Sequence, residues 1–317
     1  MITFHHLPCP LCGSAEHRTL GSPMKIDALI SSLDIPEVFE TRVVECTTCS
    51  LVYVKPFPRY SDQLLTKMYS NDNNYFLELT PFMERIIHTI NPARRFTTAQ
   101  RLAKKKIERF LEIGCGQGYG LLAAKKFGWQ VYGQDLSPDF AQVARERTGV
   151  DIVTGQLNEN SFPDKKFDLI YIDSVLEHLA DPVKYMKCII NYLSPEGIVY
   201  LVLPNERSIP NQFMDGMLRF MGGSRSFRTA PFTEPYHLLG FSRASICYLA
   251  QVLNLEVPLL VRRYSYYHRE RYKRVVSVGR FLKKKLFGAI SLLSDMADNG
   301  MNMEVVFSQG KPEIRRR

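Results

Sequence analysis

Between residues 108 and 206 the apolar positions fall into short blocks whose period changes regularly along the chain. RFLEI (109–113) is apolar and runs into glycines, which predicts a buried strand. YGLLAAKKF (119–127) predicts a helix and WQVYGQD (129–135) a strand. SPDFAQVARERTG (137–149) predicts a helix capped by Ser137, opened by Pro138 and closed by Gly149. DIVTG (151–155) and FDLIYID (167–173) read as strands, and DPVKYMKCIINYL (181–193) as an amphipathic helix. Pro195 and Gly197 then turn the chain into a further strand, IVYLVLP (198–204). Strands alternating with helices in this way imply parallel βαβ units with helices on both faces of a sheet.

The flanks read differently. Residues 1–58 are rich in Cys, Pro and short β-like stretches, and 59–107 look mostly helical with a break at Asn71–Asn74. Residues 205–240 read as loop, 242–253 as helix and 256–264 as strand. A basic amphipathic helix is expected over 275–297, a last strand over 301–308 and a basic tail at 311–317. Composition changes little: 317 residues, 45% hydrophobic and 23% charged, suit one sizeable soluble domain plus a small one. No apolar run nears the roughly 20 residues that cross a bilayer, and the first residues lack a signal-like stretch, so a cytoplasmic location is expected. The net charge of +9 is confined to residues 257–317, which hold 14 Lys+Arg against 5 Asp+Glu. This excess points to an anionic partner or surface, or to a solvated tail.

The chemistry centres on Glu112-x-Gly114-Cys115-Gly116-Gln117-Gly118, directly after a predicted strand. A dinucleotide fingerprint, Gly-x-Gly-x-x-Gly, fails in both registers, at Tyr119 and at Leu121. Asp135, followed by Leu136, ends the next strand; a carboxylate there can accept hydrogen bonds from both hydroxyls of a ribose, or cap the following helix. Further on stand VLEHLADP, the turn SPEG and a strand ending in Pro-Asn. Together, over roughly residues 108–206, these resemble the class I S-adenosylmethionine (SAM)-dependent methyltransferases. The resemblance implies a Rossmann-like α/β sheet, mostly parallel with the last strand antiparallel. It also implies a glycine turn around the methionyl end of SAM, with Glu112 helping to hold that end and Asp135 on the ribose. By the same resemblance Gln156 and Leu157 flank the adenine, while Asp173, Ser174 and Val175 lie where the methyl group is presented. His178 follows, as a packing residue or a catalytic one. Tyr75 is a second aromatic expectation, over the cofactor or in a lid.

Methyl transfer to a hydroxyl or an acidic carbon is helped by a base. His237, in EPYHLLGFS, is the candidate outside the cofactor loop; the alternative is that it packs on the next helix. A His-Leu-x-x-Phe-Ser stretch also recurs in related sugar and small-molecule methyltransferases.

Cys9-Pro-Leu-Cys12 and Cys46-Thr-Thr-Cys49 form two C-x-x-C knuckles suited to a structural, tetrahedral zinc ion, with redox pairing as the alternative. Their separation requires an insertion, about 22–40, to loop out. His5, His6 and His17 are spare ligands, and Cys115, Cys188 and Cys247 read as small buried hydrophobes. The combination of zinc-ribbon-like module, methyltransferase sheet and His-bearing segment resembles enzymes of sugar and glycan biosynthesis. The expected acceptor is therefore a small molecule, such as a nucleotide- or lipid-linked sugar. RNA methylation and a non-catalytic SAM-binding scaffold are the competing readings. Helix 275–297 either packs on the sheet or docks at the inner face of an anionic membrane. The sequence gives no oligomeric state.

Overall fold

The computed structural model describes residues 2–23, 41–69, 86–220, 236–263, 290, 293–294 and 296–309. The alternating blocks become a seven-stranded sheet. Its strands in chain order are β6 (Arg109–Ile113), β7 (Gln130–Asp135), β8 (Ile152–Thr154), β9 (Phe167–Asp173), β10 (Leu193–Pro204), β12 (Leu255–Arg263) and β13 (Asn302–Gln309). Across the sheet the order is β12-β13-β10-β9-β6-β7-β8. Pairs from β8 to β10 are parallel, and β13 runs antiparallel to both its neighbours. This is the Rossmann-like methyltransferase topology expected from the sequence. The chain builds outward from β6 in one direction and then, through β9, in the other. Ligand crevices in such sheets lie at that switch point, beyond the carboxyl ends of the strands.

Period-two alternation gives the sheet two apolar faces. Leu169, Tyr171, Ile198, Tyr200 and Val202 pack on one side with Phe96, Phe110 and Leu121. Ile170, Ile172, Val199, Leu201 and Leu203 pack on the other with Leu111 and Ile113. Helices between the strands start where their caps say. Helices α1 (Asp62–Met68) and α2 (Asn91–Leu102) precede the sheet, and α3 (Tyr119–Lys125) follows β6. In α4 (Pro138–Thr148) the Ser137 side chain accepts from the Phe140 N–H, and Gly149 closes the helix in the left-handed conformation. Asp181 caps α5 (Pro182–Asn191), and Ser242 with Ser245 forms a capping box for α7 (Arg243–Val252).

Two expectations need correction. Pro195 and Gly197 are not a turn ahead of the strand: β10 starts at Leu193 and runs through them, and its pairing with β9 shifts between Leu193 and Ile198. Residues 205–240 are not all loop, because Ile209–Phe220 form helix α6. Its Asn, Asp and Gly residues disguise it, but Ser208 supplies a start signal by accepting from the N–H of Asn211 and of Gln212. Most of the expected helix 275–297 and the tail 311–317 lie outside the described residues. No helix among the described residues is long and apolar enough to cross a membrane.

The N-terminal segment supplies β1 (Ile2–His5), β2 (His17–Gly21), β3 (Arg42–Cys46), β4 (Val52–Lys55) and β5 (Phe57–Tyr60). It is not a separate bead. The order β11-β4-β3-β2 includes β11 (Leu239–Gly240), contributed from beyond the large sheet, with Leu239 opposite Tyr53 and Gly240 opposite Val52. Val43, Leu51, Val52 and Val54 share one core with Leu111 and Leu201. Glu45, buried in β3, accepts from Arg18 at 2.6 Å and also from Arg207, just before α6.

Helix α2 is fastened to the opposite face by charge. Buried Arg95 donates to Asp173 (2.6 Å), to the Tyr171 hydroxyl (2.7 Å) and to Glu304 of β13 (3.1 Å). Glu304 also accepts from Arg94 and from the Tyr200 hydroxyl. Burial would raise the Glu304 carboxyl, but the Arg94 hydrogen bond and the two guanidinium charges outweigh it and bring it down to about 2. Removing one partner from such a network strands the other charges, at a cost of about 3–5 kcal/mol. Arg95→Met is expected to lower the unfolding free energy by about that amount in urea titrations, whereas a loss below about 1 kcal/mol would show that α2 is held by packing alone.

Candidate functional site

The glycine turn leaves β6 at the switch point. Gly114, Gly116 and Gly118 all take positive φ, at 67°, 51° and 82°, a region side chains rarely tolerate. A Cβ on Gly118 would also press on Thr148 at 2.8 Å, so α3 can approach α4 only with glycine there. The turn is tied to the next strand: the Gly116 N–H donates to Asp135 Oδ2 at 2.7 Å, and the Ser137 N–H to Asp135 Oδ1 at 2.8 Å. Each Asp135 oxygen keeps a further lone pair for a hydroxyl donor. From outside, the His88 ring stacks on Tyr119 at 3.7 Å, and the Arg147 guanidinium lies 4.1 Å from the centre of the Tyr119 ring while donating to the Gln117 carbonyl.

Glu112 is buried beneath this turn, close against Gly120, where any side chain would collide with its carboxyl. Its Oε2 has no hydrogen-bond partner. Burial, then the charges of Asp173 and Asp135, push its carboxyl well above the usual carboxylate range. Asp135 is also raised by burial, against the pull of the Ser137 and Gly116 N–H groups. Asp173 ends β9 and accepts from Arg95, Tyr171 and Ser174. Ser174 turns away at φ 58°, and Val175 faces Gly114. One edge thus gathers three carboxyl groups, and one oxygen among them, Glu112 Oε2, lacks a hydrogen-bond partner.

Of the other residues singled out from sequence, Leu136 is half-buried after Asp135, Gln156 is exposed and Leu157 is buried just past β8. Cys115 points into the core, its sulfur packed behind Gly133, so it contributes main chain rather than side chain to the turn. Tyr75 lies outside the described residues.

A second cluster stands beside Asp173. Residues Leu176–His178 form one 3₁₀ turn, and the Leu238 N–H donates to the Glu177 carbonyl at 2.9 Å, which brings His237 over it. His237 Nε2 is 3.8 Å from Glu177 Oε1, and the two histidine rings meet edge to face at 4.9 Å. Glu177 is 1% exposed, and neither of its carboxyl oxygens has a hydrogen-bond partner. Burial pushes it up to about 8, with Asp173 and Glu206 adding to the effect. His178 shares its Nδ1 with the Tyr69 hydroxyl at 2.9 Å, and its Nε2 has no hydrogen-bond partner. Burial lowers His178 to about 4, against the weaker pull of the Tyr236 and Ser174 main chain. Sequence reasoning found both histidines but missed Tyr69, Arg95 and the part taken by Glu177. A glutamate inside the apolar run MNMEVVFS was the available sign of the Arg95 network.

The four N-terminal cysteines converge. Cys9 Sγ lies 3.5 Å from Cys49 Sγ and Cys12 Sγ 3.4 Å from Cys46 Sγ, with all four sulfurs within 4.8 Å of one another. Sulfurs at zinc-bond length from one centre stand about 3.8 Å apart, so the set fits a tetrahedral ion. Each knuckle turns through a left-handed residue, Gly13 at φ 73° and Ser50 at φ 60°. His5 and His17 are engaged elsewhere, with Thr3 and the Ala15 carbonyl.

The chain is similar in part to known proteins. The chain is 31% identical over 129 residues to the ubiquinone biosynthesis O-methyltransferase of Pasteurella multocida, covering 36% of this chain and 53% of that protein. It is 26% identical over 152 residues to the chloroplastic tocopherol O-methyltransferase of Arabidopsis thaliana, covering 45% and 44%. The chain thus spans about half the length of the curated relatives it matches. Similar solved structures include SAM-dependent methyltransferases from Archaeoglobus fulgidus (TM-score 0.46, 15% identity, 72% of this chain and 98% of that one) and Clostridium acetobutylicum (TM-score 0.47, 12% identity, 73% and 97%). A family model described as a methyltransferase domain matches residues 84–258, more than half of the chain, and the protein therefore belongs to that family of methyltransferase domains.

Proposed function

We propose that the protein transfers the methyl group of SAM to a small-molecule acceptor. The observation that carries this reading is the buried Glu112 carboxyl, left with an unpartnered oxygen beside a glycine turn that is hydrogen-bonded to Asp135. An anionic edge of this kind suits a ligand carrying an ammonium and a sulfonium at one end and a ribose at the other. Glu112 would face the cationic methionyl end, the Gly114–Gly118 turn would wrap it, and Asp135 would accept from the ribose hydroxyls. Gln156 and Leu157 would border the adenine, and Asp173, Ser174 and Val175 would border the methyl. SAM itself supplies an activated methyl group, so these residues have chiefly to orient it and exclude water. The Glu177–His178–His237 cluster lies on the acceptor side and would help remove the acceptor's proton.

For the acceptor we favour a nucleotide- or lipid-linked sugar methylated on oxygen or carbon. Support comes from the excess of positive charge after residue 256, which suits an anionic carrier. The four cysteines would hold a structural zinc ion. Because β11 leaves His237 and joins the cysteine-bearing sheet, that ion would steady the acceptor side rather than the cofactor side.

Three outcomes test this. A carboxyl with a raised pKa carries a proton that a cationic ligand displaces, so affinity should increase as the pH rises toward that pKa. Calorimetry with SAM in two buffers of different ionisation heat is expected to show release of up to roughly one proton at neutral pH, and none in Glu112→Gln. No affinity for SAM or its demethylated product would end the methyltransferase reading. His237→Ala is expected to keep SAM affinity and to lose about 100-fold or more in turnover with labelled SAM and candidate sugar acceptors; unchanged turnover would remove His237 from the chemistry. Zinc is expected in protein purified without chelator, and its removal should melt the N-terminal sheet and lower turnover more than SAM affinity. Metal analysis that finds no zinc would refute the structural ion.

A further inference from the structure

Outside the cysteine set, one other group of donors among the described residues lies within metal-binding reach. It joins Glu177, His178 and His237, whose ligand atoms all lie within 4.8 Å of one another. We propose that these three side chains bind a divalent first-row cation that holds the acceptor's oxygen in front of the methyl group. The inference deepens the methyl-transfer reading and rests on it for the use of the ion, though not for its binding.

Three observations support it. The first is what the cluster lacks. Both oxygens of Glu177 and the Nε2 of His178 are buried without a hydrogen-bond partner. Buried polar groups are nearly always paired, and an ion is one of the few things that satisfies several such groups at once. The second is orientation. His178 uses Nδ1 toward the Tyr69 hydroxyl at 2.9 Å, which leaves Nε2 as the ring nitrogen without a hydrogen-bond partner. Fixing one ring nitrogen by a hydrogen bond so that the other presents its lone pair is the usual support of a histidine ligand. The third is the surrounding charge. Two further carboxylates, Asp173 and Glu206, lie near Glu177, the first of them already paired with Arg95.

Two imidazoles and one carboxylate suit manganese, iron, cobalt or zinc, and leave positions open for substrate oxygens. Donors around such an ion stand about 3 Å apart, so side-chain rotation has to draw these inward by an ångström or so. His178 sits in a one-turn 3₁₀ segment and His237 two residues before β11, so neither belongs to a strand of the large sheet. The position, next to Asp173 at the end of β9, is where an acceptor must meet the methyl group.

An ion there acts as a Lewis acid. The acceptor's hydroxyl would coordinate and lose its proton to solvent. Its oxygen lone pair would form the new bond to the methyl carbon as the carbon–sulfur bond breaks, and the sulfur would keep that electron pair. His237 would then serve as a ligand rather than as a free base. An acceptor with two adjacent oxygens, an α-hydroxycarbonyl or an enediol, fills two open positions at once and is the class favoured.

Manganese separates this site from the cysteines, because soft thiolates select other metals. The full-length protein is to be titrated with Mn²⁺ while the electron paramagnetic resonance signal of the free ion is followed. Wild-type protein is expected to remove one equivalent of signal. Glu177→Gln and His237→Gln should each weaken that binding by about 10-fold or more while still binding the demethylated cofactor, which serves as the check on folding. If wild-type protein takes up no manganese, and no cobalt or zinc beyond the cysteine set, the proposal falls. Equal binding by wild type and both variants also overturns it. Manganese uptake without any affinity for SAM would keep the metal site and sink the methyl-transfer reading instead.

Discussion

Parallel strands force their carboxyl ends to one edge, and in this protein that edge collects negative charge. Glu112, Asp135 and Asp173 end or nearly end β6, β7 and β9, which lie side by side. Such a concentration is costly in a buried setting, and each group is managed differently. Asp173 is matched by Arg95, reaching across from α2. Asp135 is held by two main-chain N–H groups. Glu112 receives neither a guanidinium nor a full set of donors, and burial pushes its carboxyl well above the usual carboxylate range. Gly120 leaves room for the Glu112 carboxyl, and Gly118 lets the chain return into α3 close against α4.

The same sheet edge explains why helices outside the βαβ units are needed. Helix α2 brings a buried cation, Arg95, to the Asp173 end, and the π-helical turn before it lays His88 on Tyr119, next to the glycine turn. On the other face, the cysteine-bearing sheet shares its core with the large sheet and takes β11 as an edge strand. The Asp173 end of the sheet and the His237 segment are thus braced by different parts of the chain, one by charge and the other by strand pairing and a shared apolar core.

Much of this was legible from residue order. The strand and helix blocks from 109 to 204, the Ser137 and Asp181 caps and the left-handed Gly149 follow from local periodicity and end signals, which need no knowledge of the fold. The glycine turn and Asp135 could be paired because a parallel sheet places successive strand ends together. What escaped was non-local or masked by composition. Helix α6 carries Asn, Asp and Gly, and only its Ser208 start announces it. The Arg95–Glu304 contact joins residues more than two hundred positions apart, and its one trace in the sequence is a charge inside an apolar strand. Glu177 looked like a neighbour of His178, whereas its meaning comes from His237, brought over it by the Leu238–Glu177 main-chain bond.

The two-residue pairing of β11 with β4 has a consequence for the exchange of segments. Segments that shape an acceptor pocket are usually free to be exchanged between related enzymes, because they hang from the ends of a finished scaffold. Residues 239–240 are instead a rib of the amino-terminal sheet, and position 240 needs glycine because Glu206 lies where a side chain would go. A graft of residues 236–242 from a cousin would leave β4 with a bare edge unless residues 41–55 travelled with it. The two stretches, far apart in the chain, therefore depend on each other, and a change of backbone in one has to be matched by the other.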